Sequence, residues 1–155
     1  MTSAARPGAA RPDDVRRVVD AMLADPLVLP GTATLADVRA VFLRDHVHMV
    51  LLTPGGQVGE PLQGTLLRSD LDASGPEGLA LGTSRLAGRT VSPTQPLDDA
   101  RRALRAAQLR RAAVVDDHGV LVGLLCLKRD GSGFCSDVGV AERRAAALSH
   151  RPRAR

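Results

Sequence analysis

The sequence is poor in aromatic residues. Its 155 residues include two phenylalanines and neither tryptophan nor tyrosine. The core must therefore be built from aliphatic side chains. The aromatic platforms on which single-stranded nucleic acids stack their bases are also missing, so we expect no nucleic-acid partner.

Cysteines and long apolar runs are scarce as well. Cys126 and Cys135, the two cysteines, provide neither a disulfide framework nor a zinc site. We expect Cys126 to be buried in an apolar strand and Cys135 to lie in an exposed turn. No apolar run approaches the roughly 20 residues that span a bilayer, and residues 1–16 lack the apolar region of a secretory signal. We therefore expect a cytoplasmic protein with a disordered leader, no membrane partner and no bound metal.

The basic charge lies at the two ends of the chain. The formal net charge is +4, of which residues 1–17 contribute +2 and residues 141–155 contribute +4. The centre, residues 18–140, carries −2. A nucleic-acid-binding protein more often has a basic stripe on a folded face, so we interpret the basic ends as solvated.

The sequence contains two copies of one unit. The stretch "LVLPGTATLADVRAVFLRD" (27–45) aligns with "RTVSPTQPLDDARRALRAA" (89–107), and "HMVLLT" (48–53) aligns with "RAAVVD" (111–116). Each copy has the pattern of a strand, an amphipathic helix, a buried strand, a turn and a further strand. A shorter turn in the second copy places Gly64 on Gly123. One copy is too small to bury its own apolar faces, so the two must share a core.

The stretch "RRAAVVDDHGVLVGLL" (110–125), together with the repeat of about 60 residues, resembles a pair of cystathionine-β-synthase (CBS) domains. The resemblance implies an α/β (α+β) fold, in which two small sheets and their helices form a pseudo-twofold, Bateman-type module. The two repeats would span residues 17–72 and 80–131. Residues 132–155 would form a linker, a short helix starting near Ser136 or Asp137, and a basic tail.

The resemblance also implies a ligand site. CBS pairs bind adenine nucleotides or related ligands in clefts between the repeats, through the motif Gly-apolar-x-Thr/Ser-x-x-Asp. Its aspartate accepts hydrogen bonds from the ribose hydroxyls. The first copy has Gly64 and Asp70 but Leu67 at the hydroxyl position. The second copy has Cys126 at that position and Arg129 in place of the aspartate.

We therefore expect the better ribose site in a first cleft, formed by Val28, Gly64, Leu67, Arg68, Ser69, Asp70, Arg110 and Arg111. A second cleft would favour an anion or would be vestigial, and it comprises Thr90, His48, Cys126, Lys128 and Arg129. Simpler roles compete with these. Asp70 could cap a helix, and the basic residues could be solvated surface charges. His46 and His48 lack a third ligand for a metal.

Three classes of function follow. The protein could be a regulatory module that binds AMP, ADP, ATP or an S-adenosylmethionine-like ligand and signals to a protein partner. It could instead be a dimeric scaffold with degenerate pockets, or an enzyme. The sequence shows no nucleophile with a paired base, no metal cluster and no phosphate-binding glycine loop. We expect the first class, as a homodimer without a tightly bound cofactor.

Overall fold

The computed structural model describes residues 16–44, 47–72, 75, 77–129 and 133–135. The four helices are α1 Val18–Ala21, α2 Leu35–Phe42, α3 Arg68–Asp72 and α4 Leu97–Ala106, and a 3₁₀ turn spans Ala80–Gly82. The six strands are β1 Val28–Pro30, β2 Met49–Thr53, β3 Gly64–Leu67, β4 Thr90–Val91, β5 Arg111–Val115 and β6 Leu121–Cys126. Residues 1–15 of the predicted leader (1–16), the predicted C-terminal helix and the basic tail lie outside the described residues.

The strands form two sheets of the same topology. In the order β1-β2-β3, the first pair is parallel and the second antiparallel, and β4-β5-β6 repeats this pattern. One core lies between the two sheets, where Met49 and Leu51 of β2 pack with Ala113 of β5 and Leu121 of β6. The predicted fold class, with two repeats that share a core, is confirmed.

The two long helices, α2 and α4, lie within the two aligned stretches for which the repeat predicted an amphipathic helix. At the start of α2, the Thr34 side chain accepts a hydrogen bond from the backbone N–H of Asp37 at 3.1 Å, and the Asp37 carboxylate accepts one from the Thr34 N–H at 2.9 Å. This reciprocal cap satisfies two backbone donors that the first turn leaves free. Both long helices bury one apolar face, at helical spacing. Within the described ranges, no helix is long and apolar enough to cross a membrane.

Each sheet is completed by the segment that precedes the first strand of the other sheet. The sequence placed α1 in the first repeat, but Val18 is buried against α4 and the second sheet. Leu23 then bridges Leu124 of β6. In the same way, Arg85 bridges Thr65 of β3, ahead of the second repeat. The two exchanged segments therefore add contacts between the repeats, in addition to those of the shared core.

The two aligned glycines lie where the exchanged segments cross the last strand of each sheet. A Cβ atom at Gly123 would stand 2.6 Å from the Met22 sulfur and 2.7 Å from the Leu23 carbonyl oxygen. A Cβ atom at Gly64 would collide with the Ser84 side chain. Gly123 therefore lets two backbones approach closely, and Gly64 leaves room for the Ser84 side chain.

We predict that Gly123→Ala destabilises the protein. The added methyl group meets a backbone oxygen that cannot move without breaking the bridge between Leu23 and Leu124. Overpacking of this kind costs about 1–3 kcal/mol of unfolding free energy. Chemical denaturation measures the loss. Gly82→Ala is the matched control, because a Cβ atom there meets nothing within 4 Å. Equal stability of the two variants would contradict this role of Gly123.

Candidate functional site

Asp70 is buried in an ion pair that joins the two repeats. Arg89, which precedes β4, donates through Nη1 to Oδ2 of Asp70 at 2.5 Å and through Nη2 to Oδ1 at 2.9 Å. The two residues are 7% and 8% exposed. A second arginine, Arg85, places its Nε 3.7 Å from Oδ1. Both carboxylate oxygens of the expected ribose acceptor are therefore held by another side chain.

Asp70 also caps the helix that carries it. Its Oδ2 accepts a hydrogen bond from the backbone N–H of Leu67 at 2.7 Å, directly before α3. Burial alone would raise the pKa of Asp70. The hydrogen bonds from Arg89 and from the Leu67 N–H, with the charges of Arg89 and Arg85, outweigh burial and hold the pKa below its usual value. Asp70 is thus ionised, and the capping role left open by the sequence is present.

Arginines surround His48, which precedes β2. Burial and four positive charges lower the pKa of this histidine to about 4, so it is neutral at physiological pH. In order of decreasing effect, the charges belong to Arg111, Arg110, Arg68 and Arg129. We call these four residues the arginine cluster. Within the part of the chain that the structure describes, none of the four forms an ion pair with a carboxylate.

The fold explains why the cluster converges. By the sequence repeat, His48 is the counterpart of Arg111, and both lie at the start of central strands whose following residues meet in the shared core. Arg68 opens α3, and its Nη2 donates to the carbonyl oxygen of Val47 at 3.1 Å. The same guanidinium lies 5.2 Å from the ring centroid of Phe42. The start of each central strand therefore brings basic residues from both repeats to one region.

Comparison with known proteins identifies the repeat. The family model of the CBS domain matches residues 89–129, which is the second copy. A CBS domain protein from Pyrobaculum aerophilum, complexed with AMP, has a TM-score of 0.60 and 23% identity, and the match covers 75% of this chain and 95% of that one. The second copy matches the CBS family model, and the chain has the fold of a CBS domain pair.

Two further CBS structures match. A CBS domain protein of unknown function from Thermoplasma acidophilum has a TM-score of 0.61 and 20% identity, with 87% of this chain and 78% of that chain covered. The CBS domain of a bacterial CNNM/CorC family Mg²⁺ transporter, in complex with ATP, has a TM-score of 0.56 and 20% identity, with 72% and 81% covered. A search of curated proteins finds no match. At these identities, the solved structures establish the fold of the pair.

The CBS pair brings together residues that the sequence divided between two clefts. Arg68, Arg110 and Arg111 were assigned to the first cleft, and His48 and Arg129 to the second, yet all four arginines lie close enough to His48 for their charges to lower its pKa. The other residues predicted for the two clefts are either exposed or have a structural role. Ser69, Thr90 and Lys128 are exposed, Val28 packs against the shared core, and Gly64 and Leu67 form part of the fold around Asp70.

The prediction for Cys135 was wrong. The residue is buried, 8% exposed, and its sulfur lies 2.6 Å from that of Cys126. The chain returns along β6 in a short antiparallel pairing, with Leu127 opposite Phe134. The glycines and serine near Cys135 suggested exposure, but the same run, "KRDGSG" (128–133), is also typical of a hairpin turn. Cys126 is buried, as predicted.

Sequence reasoning also missed Arg85 and Arg89. In the aligned first copy, Leu27 occupies the position of Arg89. An arginine at the position of a leucine, directly before a strand, is a signal for a buried acidic partner, because a charged side chain is almost never buried unless it is paired. No group of three or more histidine, cysteine or acidic side chains that could hold a metal occurs among the residues described.

We predict that Asp70→Asn lowers the unfolding free energy by roughly 3–5 kcal/mol, because it leaves the guanidinium of Arg89 buried without its counter-charge. Removing both charges in Asp70→Asn/Arg89→Met should cost less than the sum of the two single changes. Urea denaturation of the four proteins measures this coupling. Additive losses would contradict a buried ion pair.

The loss of unfolding free energy caused by Asp70→Asn depends on pH. The folded-state pKa of Asp70 lies below its unfolded value, so its contribution is fully present above the unfolded pKa and disappears as the pH falls through the folded pKa. The stability difference between the wild type and Asp70→Asn should therefore shrink as denaturation is repeated at increasingly acidic pH. A difference that grows on acidification would contradict the depressed pKa.

Proposed function

We propose that this CBS pair is a non-catalytic regulatory module that binds an adenine nucleotide between its repeats, with the phosphates at the arginine cluster. The observation that supports this most directly is that four arginines, none paired with a carboxylate in the described chain, act together on the pKa of His48. Arginine binds phosphate oxygens through two parallel hydrogen bonds. Two of the structurally similar CBS proteins are described in complex with AMP and with ATP.

The charge of the site favours some of the expected ligands over others. A cluster of four like charges is costly to hold together, and a polyphosphate relieves that repulsion more than a single phosphate does. ATP and ADP should therefore bind more tightly than AMP. An S-adenosylmethionine-like ligand has no phosphate, so it is disfavoured by the same reasoning.

Ribose contributes less than the family motif suggests. A ribose could reach both oxygens of Asp70 only if Arg89 left them, and this would leave a buried guanidinium without its partner. We therefore propose that the phosphates supply most of the affinity. The Asp70–Arg89 pair is also the observation that favours the second candidate, a dimeric scaffold with degenerate pockets.

Signalling through a partner is part of the proposal. Large apolar side chains remain exposed on the pair, including Leu43 at 84%, Leu79 at 57% and Val19 at 47%. Exposed apolar surface on a small protein is commonly covered by a second subunit. The homodimer, the protein partner and the cytoplasmic location stay predictions.

We predict that ATP binds and that its phosphates dominate recognition. Isothermal titration calorimetry should detect ATP binding, inorganic tripolyphosphate should compete with it, and adenosine should not. Arg110→Ala should weaken ATP binding about ten- to a hundredfold, the usual loss for a charge-assisted hydrogen bond. Arg102→Ala is the matched control, because this arginine is exposed on α4 and pairs with Asp99.

The competition experiment separates the candidates. Competition by adenosine without competition by tripolyphosphate would place the affinity in the nucleoside and contradict the proposed role of the cluster. Absence of binding by all three compounds to folded protein would favour the scaffold. Thermal unfolding of Arg110→Ala and Arg102→Ala verifies that both variants are folded.

His48 provides a local test of where the anion binds. In the free protein, its pKa is about 4, and all four charges that lower it belong to the arginine cluster. A polyphosphate among these guanidinium groups should raise the pKa of His48, because it offsets their repulsion of the imidazolium form. Titration of the imidazole proton signals by NMR, with and without saturating tripolyphosphate, measures the shift. A pKa that does not change when the anion binds would locate the binding site elsewhere.

A further inference from the structure

Cys126 and Cys135 form a cross-strand pair at the end of β6. The backbone N–H of Cys135 donates to the carbonyl oxygen of Cys126 at 2.7 Å, and the N–H of Lys128 donates to the carbonyl oxygen of Gly133 at 2.8 Å. Between these two hydrogen bonds, Leu127 stands opposite Phe134. The ladder therefore places the two cysteines directly opposite each other, with their sulfurs 2.6 Å apart.

This backbone arrangement suits a disulfide without rearrangement. Directly opposed residues of an antiparallel pair have Cα atoms about 4.5–5.5 Å apart. That spacing lies within the range of about 4.4–6.8 Å that disulfides bridge. Both side chains are buried, at 5% and 8% exposure, and share the core between the sheets. The fold thus holds two thiols in a position from which they can be joined.

A charged residue of the arginine cluster lies beside this pair. Arg111 is the direct partner of Cys126 on β5, and its guanidinium charge interacts with that cysteine. The charge of Arg111 also interacts with Cys135. The thiolate is the reactive form in disulfide exchange. The thiol pair and the proposed anion site therefore share one side chain.

We propose that Cys126 and Cys135 are a reversible disulfide site that small-molecule disulfides oxidise and that controls the availability of Arg111. One cysteine thiolate attacks the small disulfide and releases one small thiolate, which leaves a mixed disulfide on the protein. The second cysteine then attacks the protein sulfur of the mixed disulfide and releases the second small thiolate. The protein loses two electrons and two protons, and the small disulfide is reduced to two thiols.

The effect on the ligand rests on the proposed function. In the reduced protein, Arg111 has a sulfur partner that competes with an anionic ligand. A disulfide sulfur is neutral and is a poor hydrogen-bond acceptor, so oxidation releases Arg111 for the phosphates. We expect the oxidised protein to bind ATP about fivefold more tightly or better, as for a modest coupling between two sites.

The experiment is a redox equilibrium of the full chain. The protein is held in mixtures of oxidised and reduced glutathione, in native buffer and in urea, then alkylated and analysed by mass spectrometry. The folded pair should become oxidised at a glutathione ratio at least about tenfold more reducing than the pair in urea, because the fold keeps the sulfurs adjacent. Cys135→Ser, which retains one cysteine, should give only a mixed disulfide with glutathione.

Equal oxidation of the folded and unfolded chains, or thiols that persist in the folded chain, would overturn the disulfide site. ATP affinity is then compared between the reduced and oxidised proteins, with Cys135→Ser as the control that cannot form the bond. Equal affinity of the two forms would overturn the control of Arg111. If ATP binds neither form, the proposed function fails, whereas the glutathione equilibrium still decides the disulfide.

Discussion

The ion pair between Asp70 and Arg89 decides both how the repeats are joined and how the site can act. It links the helix that ends the first repeat to the residue that opens the second, and it is buried on both sides. A buried pair contributes less through its attraction than it costs when one partner is lost. The pair therefore fixes the relative position of the repeats, and it removes the acceptor to which the family motif assigns ribose.

Because the charge of Asp70 is compensated by Arg89 inside the fold, the positive charge near His48 is the charge that remains without a carboxylate partner in the described chain. Four arginines meet there because the two copies place their central strands face to face. The cysteine pair adjoins the same region through Arg111. The ion pair, the arginine cluster and the thiol pair thus all arise from one constraint. Neither repeat can bury its apolar faces without the other.

Much of the fold could be predicted from the sequence, because apolar periodicity and caps are local signals. The strands and the helices α2 and α4 could be predicted because each depends on a pattern of neighbouring residues. The repeat shows each of these patterns twice. The exchange of α1 onto the second sheet could not be predicted, because its contacts, such as Val18 to Gln95, connect residues far apart in the chain. The partners of Asp70 and Cys126 were missed for the same reason. A sequence motif shows which side chain is suited to a role, but the tertiary structure determines which partner that side chain contacts.

The proposed function requires that an anionic ligand is held through its phosphates at the arginine cluster while Asp70 stays paired with Arg89. A crystal structure of the protein with ATP would show whether this is so. We predict phosphate oxygens within hydrogen-bonding distance of Arg110 and Arg111, with both hydrogen bonds of the Asp70–Arg89 pair intact. A ribose on Asp70, with Arg89 displaced and the phosphates away from the cluster, would contradict the account.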